Sequence, residues 1–186
     1  MQSNVQKIDA VDSNSVALGK SINQTEQLSA EGNYTVECIG ADGNVKWTEA
    51  IENLVVTVGK NDLLDKYFAG SAYTAAWYLG LVDGGTTPTY AAGDTMASHT
   101  GWTESVAYSN ATRPAPSWGS AASGSKATTA TAFNINATAT IAGCFMTTIS
   151  TKSGTTGILY SAGSFTGGNK SVASGDTLNV TYTASV

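Results

Sequence analysis

Charged residues are scarce in the C-terminal part of this chain. After Pro114, the only members of the Asp, Glu, Lys and Arg set are Lys126, Lys152, Lys170 and Asp176. Thr, Ser, Ala, Gly and Asn take their place, so this stretch lacks the charged surface that usually keeps a β-rich protein apart from its neighbours. We therefore expect a protein that packs against other protein.

Clusters of basic residues are missing from the whole sequence. Residues 1–113 carry 6 basic and 13 acidic side chains, a net charge of −7, and residues 114–186 carry 3 basic and 1 acidic, a net charge of +2. Nucleic-acid surfaces need clustered Lys and Arg, so the sequence argues against direct contact with DNA or RNA. The opposite signs predict a weak, salt-sensitive attraction between the two parts or between neighbouring copies.

Cysteines and long apolar runs are also rare. Cys38 and Cys144 are too few for a disulfide framework and stand among small or apolar residues, which favours two buried free thiols and leaves a single bridge open. No apolar run follows Met1, and no window approaches the roughly 18 apolar residues of a membrane span. We expect a protein made in the cytoplasm, with no signal peptide and no membrane partner.

Residues that perform catalysis or bind metals are few. The single histidine, His99, follows Ser98, but no acidic residue stands at a spacing that indicates a triad. One His and two distant Cys do not match a zinc site. Asp83, Asp94 and Glu104 lie near aromatic residues, a combination used in glycoside hydrolysis, although the edge of any β-sandwich offers the same set. The sequence predicts no enzyme activity, no metal and no cofactor.

Alternating strands fill most of the chain after residue 30. Residues 33–40 alternate, and Asp42-Gly43 suits a tight turn, so a hairpin is predicted at about 33–58. Residues 75–82 are apolar at successive positions and predict a central strand covered on both faces. Further strands are predicted at 102–108, 128–135, 137–149, 156–165 and 177–184. We expect one mainly β domain over residues 31–186, a β-sandwich of the jelly-roll type.

One short helix is predicted at about residues 61–69. Asn61 is a suitable N-cap, and Leu63, Leu64, Tyr67 and Phe68 follow the i, i+3, i+4 spacing of an amphipathic helix. This spacing predicts an apolar face that packs on the domain.

Residues 1–30 are polar, with widely spaced aliphatic side chains that include Ile8, Val16 and Leu18. Two interpretations remain open: an extended arm whose aliphatic residues fill pockets on a partner, or a terminal tail without a fixed structure.

Trp102, Tyr108 and Trp118 flank loops that contain proline. They are candidates for a subunit interface, because Trp and Tyr are enriched there, or alternatively they cover one end of the sandwich core.

Four short segments resemble small virion proteins of tailed bacteriophages. Residues 61–68 and 77–82 are similar to a short helix followed by an aromatic strand, and residues 159–165 and 175–180 are similar to a closing hairpin with a Gly-Asp-Thr-Leu ending. The resemblance covers about residues 60–185. It implies a structural part of the particle, such as a capsid decoration protein with a jelly-roll fold, and carries no catalytic residues.

The sequence and the resemblance together lead to two functional hypotheses. The first is a capsid decoration (cement) protein that binds the outer surface of the phage head, with the major capsid protein and further copies of this chain as partners. The alternative is a tail- or fibre-associated protein that binds host surface glycan through exposed aromatic residues such as Trp102 and Trp118.

Overall fold

A computed structural model describes residues 29–68, 72 and 76–186. These residues form a mainly β structure of antiparallel sheets, consistent with a β-sandwich, together with one short helix. In chain order the elements are β1 (Glu31–Ile39), β2 (Val45–Glu52), β3 (Leu54–Val55), α1 (Thr57–Phe68), β4 (Tyr78–Asp83), β5 (Glu104–Ser105), β6 (Ser125–Ala127), β7 (Thr131–Asn134), β8 (Ala139–Thr147), β9 (Leu159–Ser164), β10 (Lys170–Val172) and β11 (Thr177–Ser185).

The first sheet has the strand order β2-β1-β11-β6, with β7 also paired to β11. The predicted turn between β1 and β2 is present: Gly43 has a φ of 81°, and the Gly40 amide donates to the Asn44 carbonyl over 2.8 Å. The hairpin is shorter than predicted, because β2 ends at Glu52 and the chain then crosses to the second sheet, where β3 pairs with β9.

The second sheet has the order β3-β9-β8-β4-β5, with β10 paired to β8. The central, doubly covered strand predicted from residues 75–82 is confirmed as β4, whose residues from Leu79 to Val82 are buried. In β8 the register to β4 shifts between Gly143 and Ile141, which leaves Ala142 as an extra residue. This bulge interrupts the predicted alternation and lets both Ile141 and Cys144 join the core between the sheets.

The main core lies between the two sheets. From the first sheet, alternate residues such as Tyr34, Val36, Val180 and Tyr182 point inward and are fully buried. They belong to one hydrophobic cluster with residues of the second sheet, namely Leu79, Leu81, Ile141, Cys144, Met146 and Tyr160. The sheets therefore share a single packed interior.

Helix α1 begins at Thr57, four residues before the predicted start. The predicted N-cap, Asn61, lies inside the helix instead, because the Lys60 amide already donates to the Val56 carbonyl over 3.1 Å. Gly59 permits this early start: a Cβ atom there would stand 2.6 Å from the Tyr160 carbonyl oxygen of β9. No helix among the described residues is long and apolar enough to cross a membrane.

One predicted strand is much shorter in the structure, and two short strands lie outside the predicted ones. The strand predicted at 102–108 is reduced to the two residues of β5, because Trp102 and Tyr108 belong to loop segments on either side. The strands that were not predicted are β6 and β10; in β10, Lys170 to Val172 pair with Ile141 to Ala139 of β8.

Candidate interaction surfaces

The outer face of the first sheet is polar and open to solvent. Because alternate residues point outward, Thr35 of β1 stands beside Thr181 of β11 and Ala50 of β2. We call this surface the hydroxyl face; it comprises Asn33, Thr35, Thr48, Ala50, Asn179, Thr181 and Thr183. Two carboxylates lie on the same face: Glu37, between Thr48 and Asn179, and Glu52, beside Asn33. Within the described residues, the Thr and Asn side chains of this set make no hydrogen bond, so their polar groups are available to a partner.

The outer face of the second sheet is covered by apolar side chains. Met96 and Trp102, from the loop over residues 84–103, pack on Phe145 of β8 in a second hydrophobic cluster. The centroids of the Trp102 and Phe145 rings are 5.0 Å apart, and the Trp102 indole donates to Asp94 over 3.2 Å. The His99 ring stacks on the Trp102 indole, and the centroids of the two rings are 3.9 Å apart. These side chains cover Phe145, which is fully buried.

A buried ion pair fastens the loop after β5 to the second sheet. Arg113 is 1 % exposed and donates to both carboxylate oxygens of Glu104, over 2.8 and 2.7 Å, and to the Ile149 carbonyl over 3.0 Å. Glu104 also accepts from the Ser153 amide over 2.6 Å and from the Tyr108 hydroxyl over 3.4 Å. Both oxygens of the carboxylate are thus engaged, and the group acts as a structural clamp beside a cavity of about 250 Å³.

Burial raises the pKa of the Tyr108 hydroxyl well above its usual range, and the negative charge of Glu104 adds to the effect. Lys152 lies over the Tyr108 ring, 3.9 Å from its centroid, and donates to the Tyr108 carbonyl over 2.7 Å. Burial lowers the pKa of Lys152, and Glu104 opposes that change. These contacts keep Tyr108 a neutral donor inside the clamp.

Of the residues considered for catalysis, His99 and Glu104 line the same cavity, and Glu104 is held there by Arg113. The His99 ring contacts the Trp102 carbonyl over 3.0 Å, and Asp94 accepts from Trp102 and from the Ala91 amide. No hydrogen bond joins Ser98 to His99 among the described residues. In the same part of the chain, no group of three His, Cys, Asp or Glu side chains could hold a metal ion.

Ion pairs connect the acidic N-terminal part to the nearly uncharged C-terminal part. Lys46 contacts Asp176 over 2.6 Å, and Lys170 contacts Glu49 over 2.5 Å. Burial alone would raise the pKa of Asp176, but hydrogen bonds from the Lys46 ammonium and the Ala173 amide outweigh it and the pKa is lowered. Of these two pairs, Glu49–Lys170 follows the charge asymmetry of the sequence, whereas in Lys46–Asp176 the base comes from the acidic N-terminal part.

Both cysteines are buried free thiols. This agrees with the prediction of two unpaired thiols rather than a bridge. Burial, together with the neighbouring Asp176 carboxylate, raises the pKa of Cys38 to about 11. Burial likewise raises the pKa of Cys144 well above its usual range. Neither thiol is a reactive group at neutral pH.

The aromatic residues proposed for an interface are placed differently from one another. Trp102 is 3 % exposed and packs on the outer face of the second sheet, whereas Tyr108 is 1 % exposed and belongs to the core between the sheets. Trp118 is half-buried beside Tyr182, and its role at an interface stays a prediction. The other three candidates, Ile8, Val16 and Leu18, lie outside the described residues.

Helix α1 forms a second open surface that the sequence did not predict. The residues expected on its inward face are exposed instead: Leu64 to 45 %, Tyr67 to 80 % and Phe68 to 72 %. A groove of about 270 Å³ separates α1 from the sandwich and is lined by Leu63, Trp77, Trp118, Met146 and Tyr160. The i, i+3, i+4 spacing of these residues indicates an apolar stripe along the helix, but it does not show whether the stripe faces the sandwich or the solvent.

Neither a comparison with protein-family models nor a comparison with the sequences of curated proteins finds a match to this chain.

Proposed function

We propose that this chain is a structural virion protein, a capsid decoration (cement) protein that binds the outer surface of a phage head and stabilises the shell. The observation that carries the proposal is the hydroxyl face: an open sheet surface, three strands wide, made mostly of Thr, Asn and Ala and carrying the carboxylates of Glu37 and Glu52. Another protein can cover the Thr, Asn and Ala part of this surface without burying an unpaired charge, provided that it leaves Glu37 and Glu52 in solvent or supplies cations to them.

Small polar side chains also suit a contact repeated many times over a shell. Each hydroxyl can donate and accept a hydrogen bond, so it adapts to the groups that the partner offers. The individual contact can be weak, because a small oligomer that is attached to the shell through one copy holds its other copies at a high effective concentration near their own sites. Binding to the expanded shell alone then stabilises that form by mass action.

The proposal includes two partners and a fold assignment. The major capsid protein would be the main partner, and copies of this chain would contact each other as a small homo-oligomer. The fold assignment is a jelly roll. It is supported by the pairing of β1 with β11, two strands from opposite ends of the described chain that pair along their whole length.

Binding to expanded shells of the host phage tests the proposal. Thr35→Lys with Thr181→Lys would place two ammonium groups in the contact, whereas the control, Thr100→Lys with Thr156→Lys, changes exposed threonines outside the hydroxyl face. In co-sedimentation we expect the first variant to bind more than about tenfold more weakly, because an unpaired charge in an interface costs several kcal/mol. Equal binding by both variants would refute the role of this face.

Copy number separates the proposal from its alternative. Many copies on the head of the particle, counted by quantitative mass spectrometry of purified virions, are expected of a decoration protein. A few copies at the tail would favour the glycan-binding alternative instead.

A further inference from the structure

Helix α1 holds one charged pair on its inward side and exposes large apolar residues, together with the charged residues Lys60 and Asp65. Its charged pair, Asp62 and Lys66, has side chains only 11 % and 23 % exposed, and the two groups lie 3.8 Å apart along the inward side. Its large apolar residues, Leu64, Tyr67 and Phe68, are more exposed than that charged pair. A solvent-facing apolar stripe of this kind indicates that another segment covers it.

The groove beside α1 continues this apolar surface toward the sandwich. Trp77 and Tyr160 line it in edge-to-face contact with each other, with ring centroids 5.3 Å apart, and Trp118 and Met146 complete its apolar walls. Lys126 and the Asp62–Lys66 pair line it as well. We call the groove together with Leu63, Leu64, Tyr67 and Phe68 the α1 surface.

The N-terminal segment reaches the described fold next to this surface. Ala30 and Gly32 share a cavity of about 420 Å³ with Lys60 of α1. Lys60 stands one helical turn before Leu64 and two turns before Phe68. Residues 1–28 therefore precede the fold at a point beside the first turn of α1, and a chain of that length spans up to roughly 90 Å.

We propose that residues 1–28 of the same chain dock on the α1 surface. Their aliphatic side chains supply the matching apolar groups: Val5, Ile8, Val11, Val16, Leu18, Ile22 and Leu28. Glu26 is a carboxylate three residues before the described part of the chain begins at Ser29, and Lys60 provides a cation beside Ala30. Because the segment is attached beside the surface, its effective concentration there exceeds that of any free partner. The inference does not depend on the role in a virion.

Limited trypsin digestion of the full chain tests this inference. Lys7 and Lys20 are the trypsin sites within residues 1–28. The test variant combines Leu64→Ser, Tyr67→Ser and Phe68→Ser, all at exposed positions, so the fold is preserved. The control combines Val45→Ser and Val106→Ser, which are exposed apolar residues away from the α1 surface.

We expect cleavage at Lys7 and Lys20 to be at least about tenfold faster in the test variant, because even one buried aliphatic side chain shifts a docking equilibrium by that factor. The control and the unchanged protein should be cleaved at the same slow rate at every protein concentration. Equal rates in the unchanged protein and the test variant would overturn the proposal. Protection from trypsin that disappears on dilution would mean that a second copy of the chain occupies the α1 surface. Protection that is lost equally in the control variant would mean that the α1 surface does not cause it. Either result would overturn docking within one chain.

Discussion

The two sheets of this protein differ in what lies on their outer faces. The first sheet alternates buried and exposed residues, so Tyr34 and Val36 face the core while Thr35 faces solvent. The second sheet is buried on both sides, because Met96 and Trp102 cover Phe145 on the side away from the core. The nearly uncharged C-terminal part supplies strands to both sheets, which shows that one composition serves two different environments.

The difference indicates where each sheet obtains its stability and its contacts. The second sheet is held by apolar burial on two sides, and its outer layer is fixed by the Glu104–Arg113 clamp. The first sheet packs on the core from one side, and the outward residues of its strands β1, β2 and β11 are exposed or half-buried. Substitutions on the outer face of the second sheet should therefore lower the free energy of unfolding more than substitutions on the hydroxyl face. Substitutions on the hydroxyl face should have the larger effect on binding.

The largest expected effect comes from Phe145→Ala. Phe145 is fully buried between Trp102 and the strand β4, so its loss leaves a cavity and should lower the free energy of unfolding by about 3–5 kcal/mol. Thr35→Ala, on the hydroxyl face, should change it by no more than about 0.5 kcal/mol. Urea denaturation of both variants measures the contrast, and similar losses at the two positions would contradict it.

Glu104→Gln should have the next largest effect. The substitution keeps the shape of the side chain but leaves the Arg113 guanidinium buried without a counter-charge, at a cost of about 3 kcal/mol. Glu49→Gln removes a carboxylate from the partly exposed pair with Lys170 and should cost less than about 1 kcal/mol. The account of the clamp fails if both variants unfold at the same urea concentration.

Gly80→Ala should have a smaller effect. Gly80 pairs with Phe145, and a Cβ atom there would stand 2.1 Å from the Phe145 ring, so the ring must move and about 2 kcal/mol should be lost. Gly93 is a matched control, because a Cβ atom at this loop glycine would meet nothing within 4 Å. A thermal unfolding midpoint of Gly80→Ala equal to that of Gly93→Ala would show that the outer layer is loosely packed.

The smallest expected effect is a change in the pH dependence of stability. The pKa of Asp176 is lowered from 3.8 in the folded protein, so its ionised form stabilises the fold above that pH, and the contribution is lost as the pH falls through the folded value. Asp176→Asn should therefore reduce the difference in unfolding free energy between pH 5 and pH 3. An unchanged pH dependence would mean that the Lys46–Asp176 pair contributes nothing.

Local patterns predicted much of the fold. The alternation over residues 33–40 predicted a strand where β1 lies, and the continuous apolar run over residues 75–82 predicted β4 as a central strand. These predictions succeeded because residue spacing determines which side chains share a face of a strand.

Contacts between distant segments account for the remaining differences. Trp102 is buried because the loop over residues 84–103 folds across the second sheet, and α1 starts early because Gly59 packs on Tyr160. The outward orientation of Leu64, Tyr67 and Phe68 has the same origin: spacing reveals an apolar stripe, whereas tertiary packing decides which side of the helix meets the sandwich.

Chemical labelling of the two outer faces tests the central claim most directly. Thr35→Cys places a thiol on the hydroxyl face and Thr100→Cys places one on the covered side of the second sheet, while the native thiols at Cys38 and Cys144 are buried. Each variant would be labelled with a maleimide reagent, free and bound to expanded shells. The account predicts that shell binding slows labelling at position 35 and leaves position 100 unchanged. Protection at position 100 with free labelling at position 35 would contradict it.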